Sequence, residues 1–209
     1  MIAFDTLLAY TLACILLVIS PGPDNLLAIG RGLSQGRLAA IVSGLSSGTG
    51  ILFHVIAATL GLTVLLQTSE LAFYIVKFIG AAYLIWLGIK VLRSKNLFSL
   101  EHNVPRQSLR NIFVTGFLSA ALNPKPGLFV LAFIPQFVDP SFGSVSAQMV
   151  GLGVWFAVLT ALGFALMGVF ASSLTAWLIT KPKVVAGLNT GAGLTFVSSG
   201  LAVALMRQR

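Results

Sequence analysis

Six apolar runs, each long enough to cross a lipid bilayer, follow one another along this chain of 209 residues. A helix spans the hydrocarbon core of a membrane with about 20 apolar residues. The runs cover residues 6–30, 39–66, 71–92, 111–138, 147–176 and 184–206. Only 9% of the residues are charged, against roughly 25% in soluble domains, so they are too few to cover a soluble surface. The sequence therefore predicts an all-α membrane protein with six transmembrane helices in a single transmembrane domain, 1–209.

The distribution of basic residues indicates how the predicted helices are oriented. The tracts after the first, third and fifth runs hold nine Lys and Arg residues, namely Arg31, Arg37, Lys90, Arg93, Lys95, Arg106, Arg110, Lys181 and Lys183. The opposite side holds Arg207 and Arg209. Because cytoplasmic loops are enriched in Lys and Arg, we expect these tracts in the cytoplasm and both termini outside. The short, separate tracts do not form the basic stripe of a nucleic-acid-binding protein.

Two Pro-x-Pro sequences occupy corresponding places in the two halves of the chain. The first run contains Ser-Pro-Gly-Pro-Asp-Asn at 20–25, and the fourth contains Asn-Pro-Lys-Pro-Gly at 123–127. With three spans in each half, the second half enters the membrane from the opposite side. The sequence therefore predicts two inverted three-helix repeats, about 1–95 and 111–209, joined by a cytoplasmic loop at about 93–110. Many secondary transporters are built on this plan.

Each Pro-x-Pro is expected to break its helix, because proline lacks an N–H and its ring clashes with the preceding turn. Lipid cannot satisfy the backbone groups that a break leaves free, so a break persists only inside the protein or beside a wet cavity. A half-helix that starts after the break directs N–H groups and its positive dipole end into that cavity, where a carboxylate can bind. We therefore expect breaks in helices 1 and 4 and a substrate site between them. The expected substrate-binding residues are Pro21, Gly22, Pro23, Asp24, Asn25, Asn123, Pro124 and Lys125.

Asp24, Lys77 and Lys125 lie inside apolar runs, where each charge costs about 2.5–3.5 kcal/mol at mid-membrane. Asp24 suits a proton carrier or a partner for a substrate ammonium, and it also suits the N-cap of a half-helix that begins near Asn25. Lys125 is expected to pair with a substrate carboxylate or with Asp24. Lys77 is a second charge-pair candidate, although its long side chain could instead reach the outer face.

His54, in the middle of the second run, has two interpretations. A membrane histidine can relay protons, and a neutral, hydrogen-bonded histidine can simply pack between helices. We list it with Asp24 as a proton-coupling candidate.

The sequence contains no recognisable enzyme site. It has no Gly-x-Ser-x-Gly and no P-loop lysine followed by Ser or Thr. Its single cysteine, Cys14, and its two separated histidines argue against a transition-metal site. We therefore expect no enzymatic activity, no cofactor and no metal.

Small residues recur at helical spacing in two places, Gly44 with Gly48 and Gly187 with Gly191. Such faces let helices approach closely, within one chain or between two copies. They predict close packing and allow a homodimer.

Several motifs, in order, resemble those of the LysE/RhtB family of amino-acid exporters. They are SPGPDN at 20–25, GRGLSQGR at 30–37, Gly44 with Gly48, KFIGAAYL at 77–84 with Gly88, Gly116-Phe117, Asn123-Pro124-Lys125 and Pro135-Gln136-Phe137. The resemblance covers nearly the whole chain and is weakest in the last two runs. It implies a multi-pass protein of the bacterial inner membrane that exports amino acids or close derivatives, with the proton gradient as its energy source.

These observations together predict a secondary transporter that exports small amino acids or derivatives by proton antiport. A passive channel or facilitator for small polar solutes is the main alternative, since it would use the same cavity. A membrane enzyme would need a reactive group of residues that the sequence lacks. A non-transporting interaction subunit would not need charges inside its spans.

Overall fold

The computed structural model describes residues 4–20, 22–59, 70–94 and 106–205 of the chain. Within these ranges the protein is helical and has no β-strand. The α-helices of these ranges are α1 (Phe4–Ile19), α2 (Pro23–Gln35), α3 (Arg37–Thr59), α4 (Glu70–Ser94), α5 (Leu109–Ala121), α6 (Pro124–Leu128), α7 (Val145–Ser173), α8 (Thr175–Ile179) and α9 (Pro182–Leu205). A π-helical segment (Phe129–Phe133) and a 3-10 turn (Ile134–Phe137) continue α6, and a second 3-10 turn (Pro140–Phe142) precedes α7. The predicted all-α class is confirmed.

The first apolar run contains two helices that meet at an angle of 61°. Helix α1 ends at Ile19, and α2 begins at Pro23. Proline suits the first position of a helix because its φ is already helical and its missing N–H would have no partner there. Pro21 lies outside the described residues, so the joint action of both prolines stays a prediction.

The fourth run is bent in a corresponding place. The axes of Leu109–Ala121 and Lys125–Phe137 differ by 55°. Asn123 is the N-cap of α6, and its Oδ1 accepts a hydrogen bond from the backbone N–H of Lys125 at 3.0 Å. Each half of the chain thus has a helix that begins after a bend within an apolar run, at Pro23 and at Pro124. The inverted symmetry of the two halves stays a prediction.

Two helices, α3 and α7, are long and apolar enough to cross a membrane unbroken. Counting each bent pair as one span raises the number to four within the described part of the chain. The third and sixth runs correspond to α4 and α9, single helices of 25 and 24 residues. Residues 60–69, the end of the second run, lie outside the described residues. The arrangement of six spans therefore stays a prediction.

Helices α3 and α7 pack backbone against backbone. A Cβ added to Gly44 would lie 2.5 Å from the Ala161 carbonyl oxygen, and one added to Gly48 would lie 2.8 Å from that of Ala157. Residue numbers rise along α7 as they fall along α3, so the two helices run antiparallel. The close packing predicted for Gly44 and Gly48 is confirmed within the chain. We refer to this contact as the glycine seam.

The other predicted small-residue face behaves differently. A Cβ at Gly187 or Gly191 would meet nothing within 4 Å. Helix α9 instead packs on α4 through Gly193, which faces Leu92 and the Gly88 carbonyl oxygen. The prediction that Gly187 and Gly191 pack closely within the chain is therefore wrong for the described residues, because a different side of α9 faces α4. A homodimer through this face stays a prediction.

The outer surface of the helices is strongly apolar. Leu16, Leu166 and Phe170 are 72%, 68% and 67% exposed. The interior has its own apolar core, in which Tyr10, Cys14 and Phe156 pack together and the Tyr10 hydroxyl donates to the Leu152 carbonyl oxygen at 3.0 Å. A lipid bilayer suits such a protein for two reasons. The outer surface is apolar, and the polar backbone groups are hydrogen-bonded within the helices.

Candidate functional site

A cavity lies where α2 and α6 begin, in the middle of the bundle. About 360 Å³ of space lies between its lining residues, and this figure includes open solvent at the mouth. Its polar lining consists of Gly22, Asp24, Asn25, Ser47, Asn123, Lys125 and Thr160. Its apolar lining consists of Leu17, Val18, Ile51, Ala120, Pro126, Phe156 and Phe164. A small apolar chamber with a few convergent polar groups is typical of a small-molecule site.

The two halves of the chain thus contribute to one chamber. Gly22, Asp24 and Asn25 come from the first half, and Asn123 and Lys125 come from the second. Of the other residues expected at the site, Pro23 begins α2 and Pro124 begins α6. Pro21 lies outside the described residues.

Asp24 is buried in the first turn of α2 and is held by two residues of the second half. Its side chain is only 6% exposed. Oδ1 accepts a hydrogen bond from the Ser119 hydroxyl at 2.6 Å, and Oδ2 accepts one from the Asn123 amide at 2.7 Å. Both partners are neutral, so the hydrogen bonds stabilise the carboxylate without neutralising its charge. The dipole of α2 favours a negative group at this end of the helix.

The alternative of Asp24 as an N-cap is wrong. Gly22 is the N-cap of α2, and Asp24 lies inside the helix. The capping contact comes from Asn25, whose Oδ1 accepts a hydrogen bond from the Gly22 N–H at 2.9 Å. Because Asn25 makes the capping contact, the Asp24 carboxylate can bond to Ser119 and Asn123 in the second half of the chain.

Asn25 connects the two helices of the first run. Its Nδ2 donates to the carbonyl oxygens of Ser20 at 3.0 Å and Val18 at 3.3 Å. The last carbonyls of a helix lack partners within the helix, so Asn25 satisfies the end of α1 while its Oδ1 satisfies the start of α2. Both hydrogen bonds of the Asn25 Nδ2 group lie within the break, so this side chain stabilises the joint between α1 and α2 at the cavity wall.

Lys125 reaches from α6 to the break between α1 and α2. Its Nζ donates to the Ser20 carbonyl oxygen at 2.6 Å. A Cβ added to Gly22 would lie 3.5 Å from the same Nζ, so the amine passes close to the backbone there. The lysine thus extends from α6 towards the end of α1. It shares no hydrogen bond with Asp24, since the carboxylate contacts Ser119 and Asn123.

His54 lies behind the cavity wall. Its Nε2 is 3.0 Å from the carbonyl oxygen of Ala120, and its ring packs against Gly127, where a Cβ would lie 3.1 Å from Cε1. It therefore braces the bend between α5 and α6 and is not among the cavity-lining residues. This placement agrees with the packing interpretation, and a proton-coupling role stays a prediction. The side chain of Lys77 lies outside the described residues, so its pairing stays a prediction too.

Three hydroxyl residues in or beside the cavity, Ser47, Ser119 and Thr160, were not predicted from the sequence as site residues. Ser119 holds Asp24, and the other two line the cavity. All three are at most 3% exposed. A single Ser or Thr in an apolar helix usually bonds to its own backbone, so no signal in one sequence separates these three from the others.

Arg31, expected in a cytoplasmic tract, lies within α2 and is buried; its side of the membrane stays a prediction. Arg31 is 6% exposed, and its Nη1 donates to Gln107 Oε1. The Gln107 backbone N–H donates in turn to Gln35 Oε1 at 2.7 Å. The end of α2 is thus tied to the residues that lead into α5. Gln107, two residues before α5, thus provides a hydrogen-bond partner for the guanidinium.

The sequence is similar to known proteins along almost its whole length. Residues 15–209 match the family model described as LysE type translocator. The homoserine/homoserine lactone efflux protein of Salmonella typhimurium is 34% identical over 206 residues, which cover 98% of each chain. The leucine efflux protein of an Enterobacter species is 30% identical over 193 residues, 90% of each chain. The uncharacterized membrane protein YrhP of Bacillus subtilis is 34% identical over 168 residues, 76% of this chain and 80% of its own. No solved structure matches the chain.

Proposed function

This chain belongs to the LysE type translocator family, and from that premise we propose that it exports a small amino acid or amino-acid derivative from the cytoplasm in exchange for protons. As a member of a translocator family it is a transporter and not an enzyme. The names of its homoserine and leucine efflux relatives support an amino-acid type of substrate. The observation that carries the proposal is the presence of Asp24 and Lys125 in one cavity, each with neutral partners.

The carboxylate of the substrate binds at Lys125. The ammonium of this residue contacts a neutral carbonyl oxygen, that of Ser20, and lies beside the first turn of α2. A substrate carboxylate can replace or share that contact and gain a charge-assisted hydrogen bond. The N-terminal end of α2 adds its positive dipole.

The ammonium of the substrate binds at Asp24. Its carboxylate is fixed by Ser119 and Asn123, so it is already oriented and loses little freedom on binding. In the low dielectric of the membrane interior an ammonium near this carboxylate is held far more strongly than in water. An amino acid therefore fits with its two charged groups matched to the buried Asp24 and the partly buried Lys125.

Proton exchange follows from the same carboxylate. When Asp24 takes up a proton, its charge is lost and so is most of its attraction for the ammonium. Protons that enter from outside would release the substrate there, and loss of the proton to the cytoplasm would restore the binding site. Each cycle then moves one substrate outward and one proton inward.

We further propose that the chain is a multi-pass protein of the bacterial inner membrane with six spans in two inverted repeats and both termini outside. The support is the bias of nine basic residues toward one side, against two on the other. The bends of 61° and 55°, one in each half, support the repeat. Labelling of single cysteines placed in the loops, in intact cells, tests this topology; modification of the 93–110 loop from outside would contradict it.

Transport by the purified protein in lipid vesicles tests the export proposal. A panel of radiolabelled amino acids is offered outside vesicles whose interior is acidic. We expect one or more small amino acids to accumulate against their gradient while protons leave, and the accumulation to stop when the pH gradient is collapsed. A passive facilitator would equilibrate its substrate without accumulating it, and that result would overturn proton coupling.

A further inference from the structure

Ser47 and Thr160 carry buried hydroxyls that form no hydrogen bond within the described part of the chain. Ser47 lies on α3 and is 1% exposed, and Thr160 lies on α7 and is 3% exposed. Among the described residues, these two hydroxyls are the buried side-chain polar atoms that lack a hydrogen-bond partner. Buried polar groups in proteins are almost always paired, because an unpaired one forfeits its hydration without compensation. Two such groups in one place therefore need an explanation.

Hydroxyls at other positions in the helices are satisfied locally. Thr11, Thr49 and Thr195 each donate to the carbonyl oxygen four residues earlier, at 2.7, 2.9 and 2.8 Å. This contact is open to any helical Ser or Thr and requires no other helix. Ser47 and Thr160 do not make it, so their hydroxyls are oriented away from their own backbones.

Ser47 and Thr160 both line the cavity that contains Asp24 and Lys125. They also lie at the same level of the antiparallel α3–α7 pair. Gly48, next to Ser47, faces Ala157 and Ala161, the helical turn that includes Thr160. The wall around them is apolar and includes Ile51, Phe156 and Phe164. The cavity thus has charged residues in one part, Asp24 and Lys125. In another part, at the glycine seam, it has the polar residues Ser47 and Thr160 within an apolar wall.

We propose that Ser47 and Thr160 bind an oxygen atom in the side chain of the substrate, and so select amino acids with a side-chain hydroxyl or carbonyl over aliphatic ones of equal size. The inference rests on the proposed function and deepens it. The α-ammonium and α-carboxylate bind at Asp24 and Lys125, the short hydrocarbon part contacts the apolar wall, and the side-chain oxygen pairs with the two hydroxyls. An aliphatic side chain leaves both hydroxyls buried and unpaired, which penalises its binding.

The test compares substrates that differ only by oxygen. Threonine and valine have the same shape, as do homoserine and norvaline, but only the first of each pair has a hydroxyl. Uptake of both members of each pair is measured in vesicles with an acidic interior. We expect the wild-type protein to prefer the hydroxyl-containing member by about tenfold or more, as one or two hydrogen bonds would give.

Matched variants separate hydrogen bonding from packing. Thr160→Val keeps the shape and removes the hydroxyl, whereas Thr160→Ser keeps the hydroxyl and removes a methyl group. We expect Thr160→Val and Ser47→Ala each to reduce the preference about threefold to tenfold. Thr160→Ser should retain it. Thr49→Val, which removes an exposed hydroxyl that bonds to its own helix, is the control and should also retain it.

The outcomes are distinct. If the wild-type protein exports both members of each pair equally, or if the preference survives in Thr160→Val and Ser47→Ala, the proposed subsite is wrong while export itself stands. If Thr160→Ser loses the preference as completely as Thr160→Val, packing and not the hydroxyl is responsible, and the subsite is again wrong. If no amino acid accumulates at all, the proposed function fails and this inference with it. Should a variant not insert, the wild-type ratios alone decide between these results.

Discussion

The Nδ2 of Asn123 donates a hydrogen bond of 2.7 Å to Oδ2 of Asp24. This contact joins the residue that caps α6 to a residue in the first turn of α2, across 99 positions of the chain. The same Asn123 uses its Oδ1 to accept the Lys125 N–H. One amide side chain therefore orients the buried carboxylate and caps the start of the helix that carries Lys125.

Replacing Asp24 by Asn should abolish accumulation driven by a pH gradient. The amide cannot take up a proton or hold an ammonium by charge, and the protein should still insert because the side chain keeps its size. Uptake into vesicles with an acidic interior is expected to fall to the level of empty vesicles. Asp139→Asn, at an exposed carboxylate, is the matched control and should leave uptake unchanged. Uptake in Asp24→Asn that still follows the pH gradient would rule out the proton-carrying role.

Asn123→Ala should destabilise the protein. It removes the cap of α6, which costs about 0.5–2 kcal/mol, and leaves a buried carboxylate with one donor fewer, about 1–3 kcal/mol more. Thermal unfolding in detergent measures the loss. Ser108→Ala removes the exposed cap of α5, where Ser108 Oγ accepts the Asn111 N–H at 3.2 Å, and should cost only about 1 kcal/mol. Equal losses in the two variants would show that the contact with Asp24 adds nothing.

Lys125→Met should weaken binding of substrates that have a free carboxylate. Loss of a charge-assisted hydrogen bond, about 1.5–3 kcal/mol, corresponds to a rise in apparent KM of about tenfold or more. A substrate whose carboxylate is closed into a lactone should be affected much less, since it has no negative group to lose a partner. Lys181→Met, at an exposed lysine, provides the control. A similar rise in KM for acid and lactone would contradict the assignment of Lys125 to the carboxylate.

Gly44→Ala should impair folding through the glycine seam. Its Cβ would lie 2.5 Å from the Ala161 carbonyl oxygen, so the backbones of α3 and α7 must separate. Overpacking of this kind costs about 1–3 kcal/mol. Gly151→Ala, on the same helix pair but facing open space, should be neutral or stabilising by up to about 1 kcal/mol. Thermal unfolding of the two variants compares them directly, and an unchanged midpoint for Gly44→Ala would show that the seam is not tightly packed.

Much of the fold follows from local sequence. Hydrophobic length marks α3 and α7, since each is a long apolar helix with small residues on one face. The places of Pro23 and Pro124 mark the starts of α2 and α6, because proline is accepted at the first turn and nowhere later in a helix. These features depend on neighbours a few residues away, which a single sequence displays.

The site was predicted only in part, for a physical reason. Asp24, Asn123 and Lys125 could be found because buried charge and helix breaks are costly and therefore conspicuous. Ser119 and Thr160 could not be found, because each reaches the cavity region from a helix that lies nearly a hundred or more positions from Asp24 in the chain. The buried state of Arg31 likewise depends on Gln107, a partner 76 residues away. Contacts between distant segments leave no periodic pattern in one chain.

The glycine seam also constrains how the molecule can work. Helices that interlock through long side chains can slide, since rotamers change as one passes the other. Where backbone atoms are in direct contact there are no side-chain rotamers to exchange, so α3 and α7 should move together as one rigid body. Helix α2 packs on α7 equally closely, since a Cβ added to Gly168 would lie 2.5 Å from the Ala28 carbonyl oxygen, so α2 should move with the same rigid body. Spin labels on α3 and α7, and likewise on α2 and α7, would accordingly keep one separation throughout the proposed transport cycle.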